Sequence, residues 1–512
     1  MAAASAGTLE EDLTVLWTLL CAFFVFFMQS GFALLESGSI RNKNVKNVLL
    51  KNVVDASIAV MCWWAVGYAF AYGDCEENGF IGYANFFSSD SSSSGGLYWA
   101  LWMFRWAFSA TATTIVSGAV AERCQFRAYA AYTGWMTAFI YPVVVHWVWS
   151  NSGWLSASRR GCDDVEYSPY FGATNGLLDW GGAGVVHMVG GGAALMGATV
   201  LGPRLGRFLP DPVGGVSRWE PSSPTNMALG VFILWLGWYG FNAGSVKCFT
   251  GCMSIAAKIA VNTTLSVGAS ALTCLLLAVV LGDAGDIGPL LNGVMAGAVS
   301  ITGACALVQE YAAFVIGVVA AFVYTGSSKL LLRLRIDDPL DASPVHFFCG
   351  IWGLLAPGFF ATETNVQAAY HYANDWGVFY GGSGRQLGVQ VLGVVSIAAW
   401  TCSLSALAFL LLRKVGWLRV PREVEIAGLD FAQGLQRSRL RQYTADIHRA
   451  HDAAPAAELR DAEGAQHGAR SADLVLHGRP AHGAAAAVGQ KGWQQANGGT
   501  AAGGSMSSLC EV

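Results

Sequence analysis

Two segments far apart in the chain carry the same arrangement of chemistry-bearing side chains. Asp179 stands eight residues before His187 and Gly191 four after it, and Asp338, His346 and Gly350 repeat those offsets. A neutral imidazole has one N–H donor and one acceptor nitrogen. Two of them brought together can share a proton and line a path for a small hydrogen-bonding solute. Such a pair suits a neutral solute better than a metal cation, and no metal or cofactor is expected. Asp179 and Asp338 lie where their segments begin, where a carboxylate caps free backbone N–H groups. The matched spacing weighs against two unrelated core histidines.

The surroundings of both segments are apolar. The chain is 54% hydrophobic and 12% charged, about half the charge of a soluble globular protein, which argues against a cytosolic enzyme. A net charge of −4 gives no positive field for phosphates and excludes nucleic acid as a principal ligand. The 12 cysteines are too sparse for a disulfide scaffold and lack paired C-x-x-C spacing for zinc. The candidate bridge joins Cys75 and Cys162, both expected outside.

A bilayer core takes about 20 apolar residues per helix, and eleven such windows recur along the chain. They run from Leu13 to Leu35, Val48 to Tyr72, Leu97 to Val120, Ala128 to Trp149, Trp180 to Leu201 and Asn226 to Ser245. The rest run from Met253 to Leu281, Ile287 to Val308, Ala312 to Leu332, Ser343 to Ala361 and Gln386 to Leu412. Lys and Arg gather in alternate loops, from Arg41, Lys43 and Lys46 to Arg413 and Arg422. By the positive-inside rule the N-terminus is outside and the C-terminus inside. Residues 1–12 then form a short extracellular start and residues 13–412 the membrane domain. Residues 413–452 form a cytoplasmic tail segment and residues 453–512 a disordered Ala/Gly-rich tail. Within that tail, Val424 to Leu440 is either one short helix against the inner loops or a solvated linker, which composition alone leaves open.

The histidine segments fall in the fifth and tenth windows, which run in opposite directions. That parity predicts an all-α polytopic membrane protein of eleven transmembrane helices, two five-helix inverted repeats plus one extra helix. A translocation site then lies near the midplane between the repeats, with His187 and His346 facing each other.

At these residues the chain resembles the ammonium transporter family, the Amt/Mep/Rh group, and within it the plant and algal branch. The likeness runs from about Leu13 to Arg422. It rests on Gly31 to Asn44, Ala-Glu-Arg at Ala121 to Arg123, Asp179 to Gly192, Gly-Phe-Asn-Ala-Gly-Ser at Gly240 to Ser245, and Asp337 to Gly353. The resemblance implies a homotrimer in the plasma membrane, each protomer with its own pore for ammonium. His187 and His346 match the twin pore histidines. Phe108 and Trp149 match the external aromatics, and Ser245 the hydroxyl that accepts a hydrogen bond from the recruited cation. Phe108 with Phe241 matches the stacked gate, Asp179 the acid behind the recruitment site, and Trp238 a pore-wall aromatic.

Two departures from the family stand out. Arg105 occupies a position commonly held by Gln, so a fixed positive charge near the recruiting aromatic is expected to weaken ammonium binding unless it pairs with a loop acid. The tail keeps Glu425 to Asp430, similar to the plant branch's regulatory region, but Ala432 replaces its phosphorylated Thr. The competing readings are an ammonium sensor of the same fold, a Rhesus-like gas channel lacking the external aromatic and hydroxyl set, and a membrane redox enzyme with histidine-ligated haem. The pore motifs favour transport, and no enzymatic activity is expected.

Overall fold

In hydrocarbon the backbone has no partner but itself, so a chain of apolar windows is driven to be helical. The computed structural model describes residues 6–73, 78–89, 95–159, 171–209, 220–282 and 285–432. Each expected window holds a helix in it, although the eighth ends at Thr302, short of the expected Val308, and the fifth begins at Ala183 rather than Trp180. The helices are α1 (Ala6–Ser39), α2 (Asn42–Tyr72), α3 (Gly96–Val120), α4 (126–149), α5 (Ala183–Leu201) and α6 (Pro224–Gly244). There follow α7 (Met253–Val280), α8 (Gly288–Thr302), α9 (Glu310–Arg333), α10 (Ser343–Phe360) and α11 (Arg385–Lys414). Among the described residues no strand forms; only two isolated bridges occur, Cys124 with Arg419 and Ser156 with Leu177.

Small residues bring the two halves together. A Cβ added to Gly230 of α6 would lie 2.5 Å from the Leu35 nitrogen of α1, and one on Gly237 would lie 2.1 Å from Met28 Cγ. Backbones pack this closely only where side chains are absent. The same device joins α5 to α10. A Cβ on Gly191 would meet the Phe347 nitrogen at 2.2 Å, and one on Gly350 would meet the Ala183 carbonyl at 2.8 Å. The glycine four residues after each histidine is therefore where the other repeat's histidine-bearing turn approaches.

Both of those turns are π-helical, Ala183–Met188 and Ser343–Phe348. A π turn widens the helix and re-aims a side chain, and it is uncommon outside functional positions. The acids sit where the repeat predicts. Asp179 Oδ2 accepts from the Gly184 and Val185 nitrogens, both at 3.0 Å. Asp338 accepts from the Ala342 and Ser343 nitrogens at 3.1 and 2.7 Å.

At one end of the bundle the basic loop residues converge with acids. Arg204 donates to Asp337 through Nε at 2.8 Å and Nη2 at 2.9 Å, and to Glu122 through Nη1 at 3.0 Å. Arg41 pairs with the same Glu122, and Arg123 Nη2 donates to the Asp337 carbonyl at 2.6 Å. Burial opposes charge on Asp337, but the hydrogen bonds and charge of Arg204, with Arg123 beyond, hold its carboxyl well below the usual carboxylate range. The tail joins this face through two short helical turns, Arg422–Ala427 and Leu429–Ala432. Lys43 Nζ donates to the Glu425 and Ile426 carbonyls at 3.1 and 2.6 Å. Asp430 accepts from the Lys46 and Asn47 nitrogens at 2.8 Å each. In place of one continuous helix from Val424, two short turns form, separated by Gly428 at φ 99°; the extension to Leu440, and the remaining tail, lie outside the described residues.

Candidate functional site

The two π turns deliver His187 and His346 to one another. Their Nδ1 atoms stand 3.2 Å apart, the ring centroids 5.3 Å apart, and the planes differ by 22°. Both rings are buried. Only one Nδ1 can carry the shared hydrogen. The donating ring then turns an acceptor Nε2 away from the pair, and the accepting ring turns out an N–H donor. His187 Nε2 is buried and has no protein partner. The arrangement suits a solute that both donates and accepts hydrogen bonds, as ammonia does.

A wall of aromatics continues from this pair. His187 stacks on Trp238, centroids 5.3 Å apart, and on Phe241, 5.4 Å apart. Trp238 is held by its indole N–H, which donates to Thr302 Oγ1 at 3.0 Å. Phe241 in turn stacks on Phe108 with centroids 3.9 Å apart and planes 17° apart. The two rings stand at van der Waals contact, the arrangement expected of a stacked gate.

Beyond the gate lies a mouth framed by Phe108, Trp149, Tyr72 and Ser245. Trp149 stands edge-on to Phe108, centroids 5.9 Å apart, and its indole N–H donates to the Asp179 carbonyl at 2.9 Å. Gly182, at φ 98°, leaves the room this indole needs; a Cβ there would lie 2.8 Å from the Trp149 ring. Asp179 thus positions both ends of the column, its carboxylate capping the His187 turn and its carbonyl fixing Trp149. Ser245 Oγ donates to the Phe241 carbonyl at 2.9 Å, which leaves its lone pairs to accept from a ligand.

Phe108, Trp149, Ser245, Phe241, Trp238, His187, His346 and Asp179 therefore form one contiguous column. Asp338 is apart from the mouth and repeats the cap of Asp179 at the start of α10. Among the described residues Arg105 pairs with no loop acid. Its guanidinium lies 3.7 Å from the Tyr72 ring centroid, and Nη1 donates to Tyr68 Oη at 3.2 Å. Cys75 and Cys162 lie outside the described residues; the bridge present joins Cys248 to Cys252.

Sequence reasoning missed that bridge, the Tyr68 and Tyr72 seat of Arg105, and Lys247. The signal for Lys247 was available, since it stands two residues after Ser245, the hydroxyl expected to receive a cation. No groups of His, Cys, Asp or Glu able to hold a metal occur among the described residues.

The chain is similar to known proteins over most of its length. The family model described as Ammonium Transporter Family matches residues 16–436. The chain is 39% identical to "Ammonium transporter 3" of Dictyostelium discoideum over 428 residues, covering 83% of this chain and 94% of that protein. It is 41% identical to "Ammonium transporter 1 member 2" of Oryza sativa subsp. japonica, covering 77% of this chain and 79% of the relative. Among solved structures, "Sensor Amt Protein" matches with a TM-score of 0.73 at 30% identity, covering 84% of this chain and all of that one. The chain belongs to the Ammonium Transporter Family.

Proposed function

We propose that this protein imports ammonium across the plasma membrane as a homotrimer, each protomer with its own pore, the N-terminus outside and the C-terminus inside. The observation that carries the reading is the buried Nδ1 to Nδ1 histidine contact directly beneath a stacked phenylalanine gate. Ammonium is recruited at the outer mouth, where the faces of Phe108 and Trp149 offset part of its lost hydration by about 0.5–2 kcal/mol per ring. Ser245 Oγ accepts one of its hydrogens. Potassium has no hydrogens to donate, so from that one oxygen it gains ion–dipole attraction but no hydrogen bond. Past the gate the solute travels as ammonia, whose lone pair and N–H groups match the acceptor and donor Nε2 atoms of the histidine pair. The proton moves separately. Asp179 and Asp338 hold the two histidine turns in place, and Trp238 forms the wall.

A sensing role draws support from two observations: the 30% identical solved sensor, and the tail turns docked on the loops around Lys43 and Lys46. Permeation separates the two readings. Labelled-ammonium uptake is expected in cells lacking their own transporters, with large losses in His187→Ala and Ser245→Leu. Equal uptake by all three proteins, or none above the empty cell, would overturn the transport reading.

A further inference from the structure

The mouth already contains a cation. Lys247 follows α6 in a turn closed by its own N–H to the Gly244 carbonyl at 3.2 Å. It adopts φ 58°, a left-handed conformation unusual for a side chain of this size. The turn brings its Nζ to 5.9 Å from the Trp149 ring centroid. Arg105 occupies the neighbouring Tyr72 face at 3.7 Å. The titratable groups that frame this mouth with Lys247 are Tyr72 from α2, Arg105 from α3 and Tyr141 from α4. Among the described residues no carboxylate forms an ion pair with Lys247 or Arg105. A primary ammonium near an indole, beside a serine hydroxyl, is chemically the same guest as the transported ion.

We propose that Lys247 is a specificity-determining residue of the mouth: its ε-ammonium holds the cation–π seat at Trp149 that incoming ammonium takes, and each uptake event requires it to leave. This rests on the outer-site reading given under Proposed function. A tethered competitor acts at a high effective concentration set by its short tether. It raises the half-saturation concentration, and it obliges any alkali cation to displace an amine without offering hydrogen bonds in return. Burial, with Arg105 alongside, pushes the Lys247 ammonium down to about 8. It is charged below that pH and neutral above, so the seat is released as the medium turns alkaline.

The test is labelled-ammonium uptake against free ammonium-ion concentration, in cells without their own transporters, normalised to surface protein. At pH 6.5, Lys247→Gln is expected to lower half-saturation by about 2- to 30-fold, the range of one cation–π contact. Raising the pH to 8.5 at fixed free ammonium ion lowers half-saturation in the wild type and leaves Lys247→Arg unchanged. Trp149→Leu, introduced into Lys247→Gln, raises half-saturation again. A Lys247→Gln curve that superimposes on the wild type or lies at higher concentration overturns the tethered competitor, while a Trp149→Leu penalty in that background keeps the outer site. No Trp149→Leu penalty there overturns the outer site itself. If Lys247→Gln does not reach the surface, the arginine variant decides: an equal pH response in it and the wild type overturns the proposal.

Discussion

The two ends of this bundle treat charge in opposite ways. At the basic face Arg204 is shared between Asp337 and Glu122, Arg41 adds to Glu122, and Arg419 meets Glu425 at 3.0 Å. At the mouth Arg105 and Lys247 lie against aromatic faces with no acid partner among the described residues. A buried cation matched with carboxylates fixes structure, because removing either partner strands a charge. A cation on an aromatic face is held weakly and exchanges with a solute of the same charge. The first end is built to hold still and the second to be vacated.

The largest expected effect breaks the paired end. Arg204→Ala removes the cation that Asp337 and Glu122 share and leaves each with one other cation, Arg207 and Arg41 respectively, at up to about 3–5 kcal/mol. It should lower the melting temperature of the purified protein in detergent and its surface abundance together; an unchanged melting curve would mean the network carries no weight. Acid titration sharpens the same point. Because the Asp337 carboxyl is held below its ordinary range, its stabilisation is fully present above the unfolded value of about 4 and is lost only as the pH falls through the depressed folded value. The melting-temperature gap between wild type and Asp337→Asn should therefore stay constant from pH 7 to pH 5. A gap that closes across that interval contradicts the pairing.

At the unpaired end, Arg105→Gln removes a charge without breaking an ion pair, so stability should hold. The apparent affinity for ammonium should rise about threefold or more, the effect of lifting one partly screened like charge. An unchanged or weaker uptake curve would reject this. The smallest effect belongs to a pair of neither kind. Lys258, half-buried, and Glu310, exposed, stand 3.8 Å apart, and Glu310→Gln should move stability by less than about 0.5 kcal/mol. A larger shift in the melting curve would show that exposure alone does not separate weak pairs from strong.

Much of this was legible in the sequence because membrane helices are written in long apolar windows. The window starting at Ile287, diluted by Gly and Ala, still forms a helix over Gly288–Thr302. The twin acid, histidine and glycine segments were legible too, since inverted repeats must place like residues at like depths. Their physical reason was not. That Gly191 and Gly350 admit the opposing turn, and that both histidines ride on π turns, depends on backbone approach that no spacing rule encodes. The Ala-Glu-Arg motif read as a family signature, yet its work is to bind Arg41, Arg204 and the Asp337 carbonyl from distant loops. Lys247 escaped notice because its inward aim follows from a left-handed turn, and the Cys248 to Cys252 bridge because its partners lie too close together to suggest a scaffold.

Transport as proposed requires a solute to pass the histidine pair at the centre of the helix bundle. The most direct measurement is ammonium flux into liposomes carrying purified wild type or His346→Leu at equal protein density. A fall of at least about tenfold in the variant, about 1.4 kcal/mol of lost stabilisation along the path, is the predicted result. Equal flux through both proteins would contradict it.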